Sequence, residues 1–131
     1  MNKNIRRLPD SELEVMQAIW SCSPHAGENT QPVSRGQIEE ILQDAEMAAT
    51  TLLTLLSRLT DKGFVQTEKI GRSNVYTPLI SQADYLASQS RSFLNKLCGG
   101  SLSTFANALC DSGLTKEELD ELRQLLERNE L

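Results

Sequence analysis

One histidine, His25, and three cysteines, Cys22, Cys98 and Cys110, are all the imidazole and thiol ligands in this chain of 131 residues. The cysteines are far apart, and neither a Cys-x-x-Cys pair nor a zinc spacing can be assembled from them. No metal or other cofactor is expected, and the thiols read as reduced and mostly structural, as in a cytoplasmic protein. A catalytic site is equally short of parts. Gly99-Gly100 lacks the spacing and strand context of a phosphate loop, no clustered carboxylates mark a cleft, and no serine or cysteine has a convincing base. The chain is therefore not expected to be an enzyme. No apolar run approaches membrane-spanning length, and the basic start MNKNIRRLPDSE has no apolar segment behind it. Neither a membrane partner nor a secretory leader is expected, and the expected location is the cytoplasm. Aromatics make up only 5 %, so Leu, Ile and Ala must supply most of one modest core, or of two small ones that lean on a partner. Positive charge is scarce as well: residues 1–79 carry 8 Lys/Arg against 10 Asp/Glu, and residues 80–131 carry 5 against 8. If DNA is bound, the positive field must be local, or doubled by dimerisation.

What the chain does have is an ordered stretch from Thr51 to Pro78, TLLTLLSRLTDKGFVQTEKIGRSNVYTP. It reads as an amphipathic helix, a Lys62-Gly63 terminator, and two short strands joined by Gly71-Arg72-Ser73-Asn74. Upstream, Ser11 and Glu14 have capping-box spacing ahead of Leu13, Val15, Met16, Ile19 and Trp20, which recur at helical period. Trp20 reads as a core anchor rather than a stacking platform. Pro24, Gly27, Asn29 and Pro32 make Ser21 to Pro32 a long loop. Ser34 and Gln37 repeat the capping box for a short helix that buries Ile38, Ile41 and Leu42. A polar turn over Gln43 to Glu46 leads to a third helix, about Ala48 to Asp61. Leu52, Leu55, Leu56 and Leu59 take one face of it, and Thr50, Thr54, Ser57 and Arg58 the other.

The second half predicts three more helices. The first runs from Ser81 to about Leu97 with Tyr85, Leu86, Phe93, Leu94 and Leu97, and Gly99-Gly100 ends it. Leu102, Phe105, Ala106 and Leu109 have the pattern of a short second helix. Thr115 and Glu118 cap a last helix that carries Leu119, Leu122, Leu125 and Leu126 on one side. Helices this short bury little alone, and pairing with a second copy through the leucine faces is the economical solution. The fold class expected is mainly α with a small β-hairpin wing. A winged helix-turn-helix DNA-binding domain would occupy residues 1–79, and a three-helix dimerisation region residues 80–131.

A helix-turn-helix sets its second helix into the major groove of duplex DNA, which requires short hydrogen-bonding side chains outside and cations at the margins. Thr50, Thr51 and Thr54 fit the first role through hydroxyls and methyls, and Arg58 and Lys62 are placed for phosphate. On the wing, Lys69 and Arg72 bracket the tip, with Ser73 and Asn74 as neutral donors. Arg72 can follow the backbone or probe the minor groove. The alternative is a winged-helix protein-interaction module with weak or no specific DNA binding, because Ala49, Thr50 and Leu53 leave the recognition surface nearly uncharged.

The chain also resembles the penicillinase and methicillin-resistance repressor family (BlaI/MecI). The likeness runs through Leu8-Pro9-Asp10-Ser11-Glu12-Leu13-Glu14-Val15-Met16 and Trp20, Ile38-Glu39-Glu40-Ile41, Thr51 to Leu59, Lys62-Gly63, and Val75-Tyr76-Thr77-Pro78-Leu79. It resumes at Phe93, Gly99-Gly100 and Leu114-Thr115-Lys116-Glu117-Glu118-Leu119-Asp120-Glu121-Leu122. The resemblance implies a homodimeric repressor on palindromic operator DNA, often upstream of β-lactamase and sensor-protease genes. It also implies a sensor protease as partner in the resistance systems, where cleavage of the repressor relieves repression; the best match to the family's cleaved bond is Asn107-Ala108. Where the family usually opens its recognition helix with Ser-Pro and a basic residue, this chain has Ala48-Ala49-Thr50, and Leu53 stands at a position often basic or polar. Binding that depends less on salt is the expected consequence. A copper-responsive branch carries a C-terminal cysteine motif that Cys98 and Cys110 do not match, which disfavours metal sensing.

Overall fold

The computed structural model describes residues 5–26 and 30–128. The chain divides into two compact units, Met1–Gln89 and Ser90–Leu131. In the first, α1 (Asp10–Cys22) leads to a short strand β1 (Val33–Ser34), then α2 (Arg35–Ile41), a 3-10 turn over Gln43–Ala45, α3 (Ala49–Asp61), and the hairpin β2 (Val65–Ile70) and β3 (Ser73–Pro78). The helix α4 (Gln82–Leu97) follows, and α5 (Leu102–Asp111) and α6 (Lys116–Arg128) complete the chain.

The first unit closes over one apolar core. Val15, Met16, Ile19 and Trp20 of α1 meet Ile38 of α2, the four α3 leucines, Phe64, Val65 and Tyr76. Tyr85, from the start of α4, belongs to this core and not to a separate second half. Its ring lies 5.4 Å from that of Trp20 and meets Phe64 edge-on at 5.8 Å, and its hydroxyl accepts the Leu8 N–H at 2.9 Å. The Trp20 indole donates to the Ile80 carbonyl at 3.0 Å, so the one polar atom of this buried ring is satisfied. Trp20 is a core anchor.

Local signals governed most boundaries. The Ser34–Gln37 box forms in both directions, at 2.9 and 3.2 Å, as does the Thr115–Glu118 box, at 2.8 and 3.1 Å. Gly63 ends α3 at φ 82°, and Gly99 and Gly100 end α4 at φ 62° and 80°, backbone positions where a side chain would be strained.

Four expectations need correction. Ser11 and Glu14 form no capping box: Pro9 is the N-cap, its carbonyl takes the Leu13 N–H, and Ser11 already lies in the first turn. Ile41 is 45 % exposed, because Ile38 and Leu42 hold the inward positions and α2 stops there. The expected Ser21–Pro32 loop is shorter at its start, since α1 runs through Cys22; its residues 27–29 lie outside those described, as does the MNKN start. Val33 and Ser34 then form an unforeseen third strand, antiparallel to β3 with Val33 opposite Tyr76, so the sheet order is β1-β3-β2. Two residues with no alternation signal cannot announce a strand; the hydrogen bonding of β3's free edge makes it.

The second unit is built differently. Phe93 and Phe105 meet edge-on at 5.6 Å, and Cys98 is buried. No residue of α5 or α6 is buried, and Phe93, Leu97, Leu102, Leu122, Leu125 and Leu126 stay exposed. Cys22 and Cys110 are exposed free thiols, so only Cys98 fits the expected structural role.

Candidate nucleic-acid interface

The core dictates how α3 is held. Leu52, Leu55, Leu56 and Leu59 are all buried, and helical geometry then turns Thr50, Leu53, Thr54 and Ser57 outward as one exposed stripe. Thr51 and Arg58, also exposed, flank it on the same side. The only acid of α3 is Asp61, its last residue. The Thr54 hydroxyl donates to the Thr50 carbonyl at 3.0 Å, which leaves its methyl as the outward group. Ala48 caps α3 without a side-chain hydrogen bond, and the first turn carries no acid, so nothing from the chain's own side chains occupies that end.

The wing is a tight hairpin. Gly71, at φ 63°, takes the first of two turn residues and Arg72 the second, the pattern of a type II′ turn. Ser73 and Asn74, expected in the turn, are the first residues of β3. Register separates the wing's candidates. Lys69 opposes Asn74, and Ile70 opposes Ser73. Because side chains alternate, Lys69 and Asn74 continue the face that carries Thr67 and buried Tyr76. The Thr67 and Thr60 hydroxyls touch at 2.7 Å, so that face abuts α3. Glu68, Ile70 and Ser73 take the opposite face. The wing's lysine thus sits on the side of the recognition helix and its acid on the other.

Two cations lie elsewhere than the sequence suggests. The Lys62 ammonium is bound to the Glu12 carboxylate at 2.5 Å, with Glu12 only 3 % exposed. Lys62 therefore neutralises a buried acid of α1 and joins α3 to α1. Arg35, not singled out from the sequence, lies with Ser34 and Glu39 of the α2 segment and Arg72, Ser73 and Asn74 of the wing around one polar groove of about 370 Å³. The β1–β3 pairing places Ser34 opposite Val75 and so brings the start of α2 to the wing. Without that strand, no spacing rule links Arg35 to Arg72. The Arg35–Glu39 pair, 3.6 Å apart with both side chains more than 40 % exposed, holds the guanidinium only weakly.

In the C-terminal unit, Leu119 is half-buried while Leu122, Leu125 and Leu126 are 36–48 % exposed along one side of α6. Asn107 and Ala108 are both exposed within α5. Among the described residues no group of three His, Cys, Asp or Glu side chains could hold a metal, and no helix is long and apolar enough to cross a membrane.

Two helices joined through a 3-10 turn, with a hairpin directly after the second, make a winged helix-turn-helix. The family model for the penicillinase repressor matches residues 8–128. The penicillinase repressor of Bacillus licheniformis is 39 % identical over 128 residues, covering 97 % of this chain and 94 % of that protein. The methicillin resistance regulatory protein MecI of Mammaliicoccus sciuri is 30 % identical over 129 residues, 98 % of this chain and 99 % of that one. The solution structure of the DNA-binding domain of the repressor BlaI covers 64 % of this chain and 94 % of that chain, at 34 % identity and a TM-score of 0.49. The chain belongs to the BlaI/MecI family of penicillinase and methicillin-resistance repressors, winged-helix DNA-binding transcriptional regulators and not enzymes.

Proposed function

We propose that this protein is a homodimeric transcriptional repressor that binds a palindromic operator, with one α3 in the major groove of each half-site. The observation that carries the reading is the exposed stripe of α3: Thr50, Leu53, Thr54 and Ser57 bear no charge, Arg58 flanks it on the same helix, Lys69 lies on the wing face that abuts α3, and Arg72 and Arg35 share a groove at the wing tip. Small side chains admit the helix to the groove, and the cations meet the phosphates on either side. Thr50, Thr51 and Thr54 face base edges, while Arg58, Lys69 and Arg72 track the backbone with Ser73 and Asn74 as neutral donors. Residues 1–79, with Ile80 and Tyr85 packed into their core, would form the DNA-binding domain, and the remainder of residues 80–131 the dimerisation domain. The unburied leucines of α6 support the second assignment, since an apolar face open to water is stabilised by meeting its own copy.

The names of the relatives, a penicillinase repressor and a methicillin resistance regulatory protein, suggest control of β-lactam-resistance genes. The same reading has the repressor in the cytoplasm and released by a sensor protease acting near Asn107-Ala108. The rival, a protein-interaction module, rests on Leu53, which is 38 % exposed on the recognition helix. Immunoprecipitation of bound fragments from the native host, paired with deletion of the gene, tests both readings. A repressor enriches promoter fragments that become more active in the deletion strain. Recovery of no DNA above background, with a partner protein lost on Leu53→Glu, would instead establish the module.

A further inference from the structure

Resting on that reading, we infer that Leu53 is a specificity-determining residue that, with the outward methyl of Thr54, reads thymine C5-methyl groups in the major groove. Bidentate recognition of guanine takes Arg or Lys, and that of adenine takes Asn or Gln. From Ala49 to Ser57 the helix has none of these. Arg58 is the first, and it lies at the flank of the stripe. The hydroxyl of Thr54 is already committed, donating to the Thr50 carbonyl at 3.0 Å, so it has no proton left for a purine acceptor. Beside the Thr50 and Ser57 hydroxyls, the stripe therefore presents two apolar groups: the Thr54 methyl and, one residue before it, Leu53.

Leu53 is also placed to act. It is 38 % exposed, whereas Leu52, Leu55, Leu56 and Leu59 are 3 % exposed or less. It is the one leucine of α3 that the core does not use. A protein-docking surface would need a contiguous apolar area of several hundred Å². Leu53 has instead Ala49, Thr50 and Ser57 as its exposed neighbours at helical spacing, small side chains that suit a wet groove and not a dry protein seam. The only apolar group that a base pair offers in the major groove is the thymine methyl. Leu53 and that methyl are therefore matched by elimination on both sides.

The test uses the purified full chain and a random-sequence DNA duplex library at physiological salt. The enriched duplex is resynthesised with deoxyuridine in place of each thymine in turn, which removes one methyl and leaves the Watson–Crick pairing unchanged. At least one substitution per half-site should weaken binding about fourfold, the effect of one buried methyl. Leu53→Ala should lower affinity for the thymine duplex and bring the thymine-to-uracil ratio close to one, whereas Leu53→Met should retain discrimination. At Thr54, Val should bind as well as wild type and Ser should not, because the methyl and not the hydroxyl faces the DNA. Circular dichroism of each variant checks that α3 is intact, as expected for exposed positions. An enriched duplex that tolerates uracil everywhere overturns the inference and leaves the repressor reading standing. Failure to enrich any duplex overturns both.

Discussion

Lys62 and Arg72 are both cations close to the recognition helix, and their surroundings give them different work. Glu12 is 3 % exposed, and its charge is tolerated because the Lys62 ammonium sits against it. Lys62→Met should therefore destabilise the fold by about 3 kcal/mol, since it leaves a buried carboxylate without its partner. Urea unfolding checks this, and a variant as stable as wild type would show that Glu12 has another partner. Arg72 caps an exposed turn with nothing from the chain bound to it among the hydrogen bonds and ion pairs of the described residues. Arg58→Ala, Lys69→Ala and Arg72→Ala should each lower the slope of log affinity against log salt by about one unit per protomer, and weaken operator and random DNA alike. A fall in the specific-to-random ratio for Arg72→Ala alone would put the wing into base reading. The sequence marks Lys62 and Arg72 equally as basic residues near a helix end and a turn. Only the packing of α1 against α3 distinguishes them, because Glu12 and Lys62 are 50 residues apart in the chain.

At the scale of elements, α3 and the hairpin were legible because their signals are local. Four leucines at helical spacing, a glycine terminator and a Gly-Arg turn each act within a few residues of themselves. The strand β1 was not legible, since its two residues become a strand only by bonding to the edge of β3, some forty positions on. Arg35's place beside the wing was hidden for the same reason. The sequence pattern groups Tyr85 with the second half because it sits in α4, yet its ring completes the core between Trp20 and Phe64. The helices α5 and α6 raise the opposite case: their periodicity was plain, but no residue of either is buried. Leu122→Glu or Leu125→Glu should separate the subunits while the winged-helix unit keeps its fold. Sedimentation equilibrium gives the mass, and near-ultraviolet circular dichroism of Trp20 reports on the core. A variant that kept the dimer mass would move the seam to another surface. Loss of the dimer should also weaken operator binding sharply, because two linked half-sites are then no longer engaged together.

For the whole molecule, the two units serve one repressor: a basic-rimmed reading head whose net charge is still negative, and a set of helices whose apolar sides call for a second copy. An acidic chain that binds DNA must concentrate its cations: α3 and the segment through the wing carry Arg58, Lys62, Lys69 and Arg72 against Asp61 and Glu68, Glu68 lies on the wing face away from α3, and buried Glu12 is neutralised by Lys62. Asn107 and Ala108 are exposed, but they lie within α5, so a protease must first unwind part of that helix. Incubation with a cognate sensor protease, followed by mass spectrometry, should give fragments that end at or near Asn107; an intact chain under derepressing conditions would mean that induction works without cleavage there.

The central claim is that a two-fold dimer reads a two-fold operator through α3. Selection of duplexes from a random library by the full-length protein, followed by native mass measurement of the complex with the winning sequence, tests it most directly. The account predicts an inverted repeat, its half-sites about one helical turn or a multiple of it apart, with two protomers on each duplex. A non-symmetric consensus, or one protomer per duplex at saturation, would contradict it.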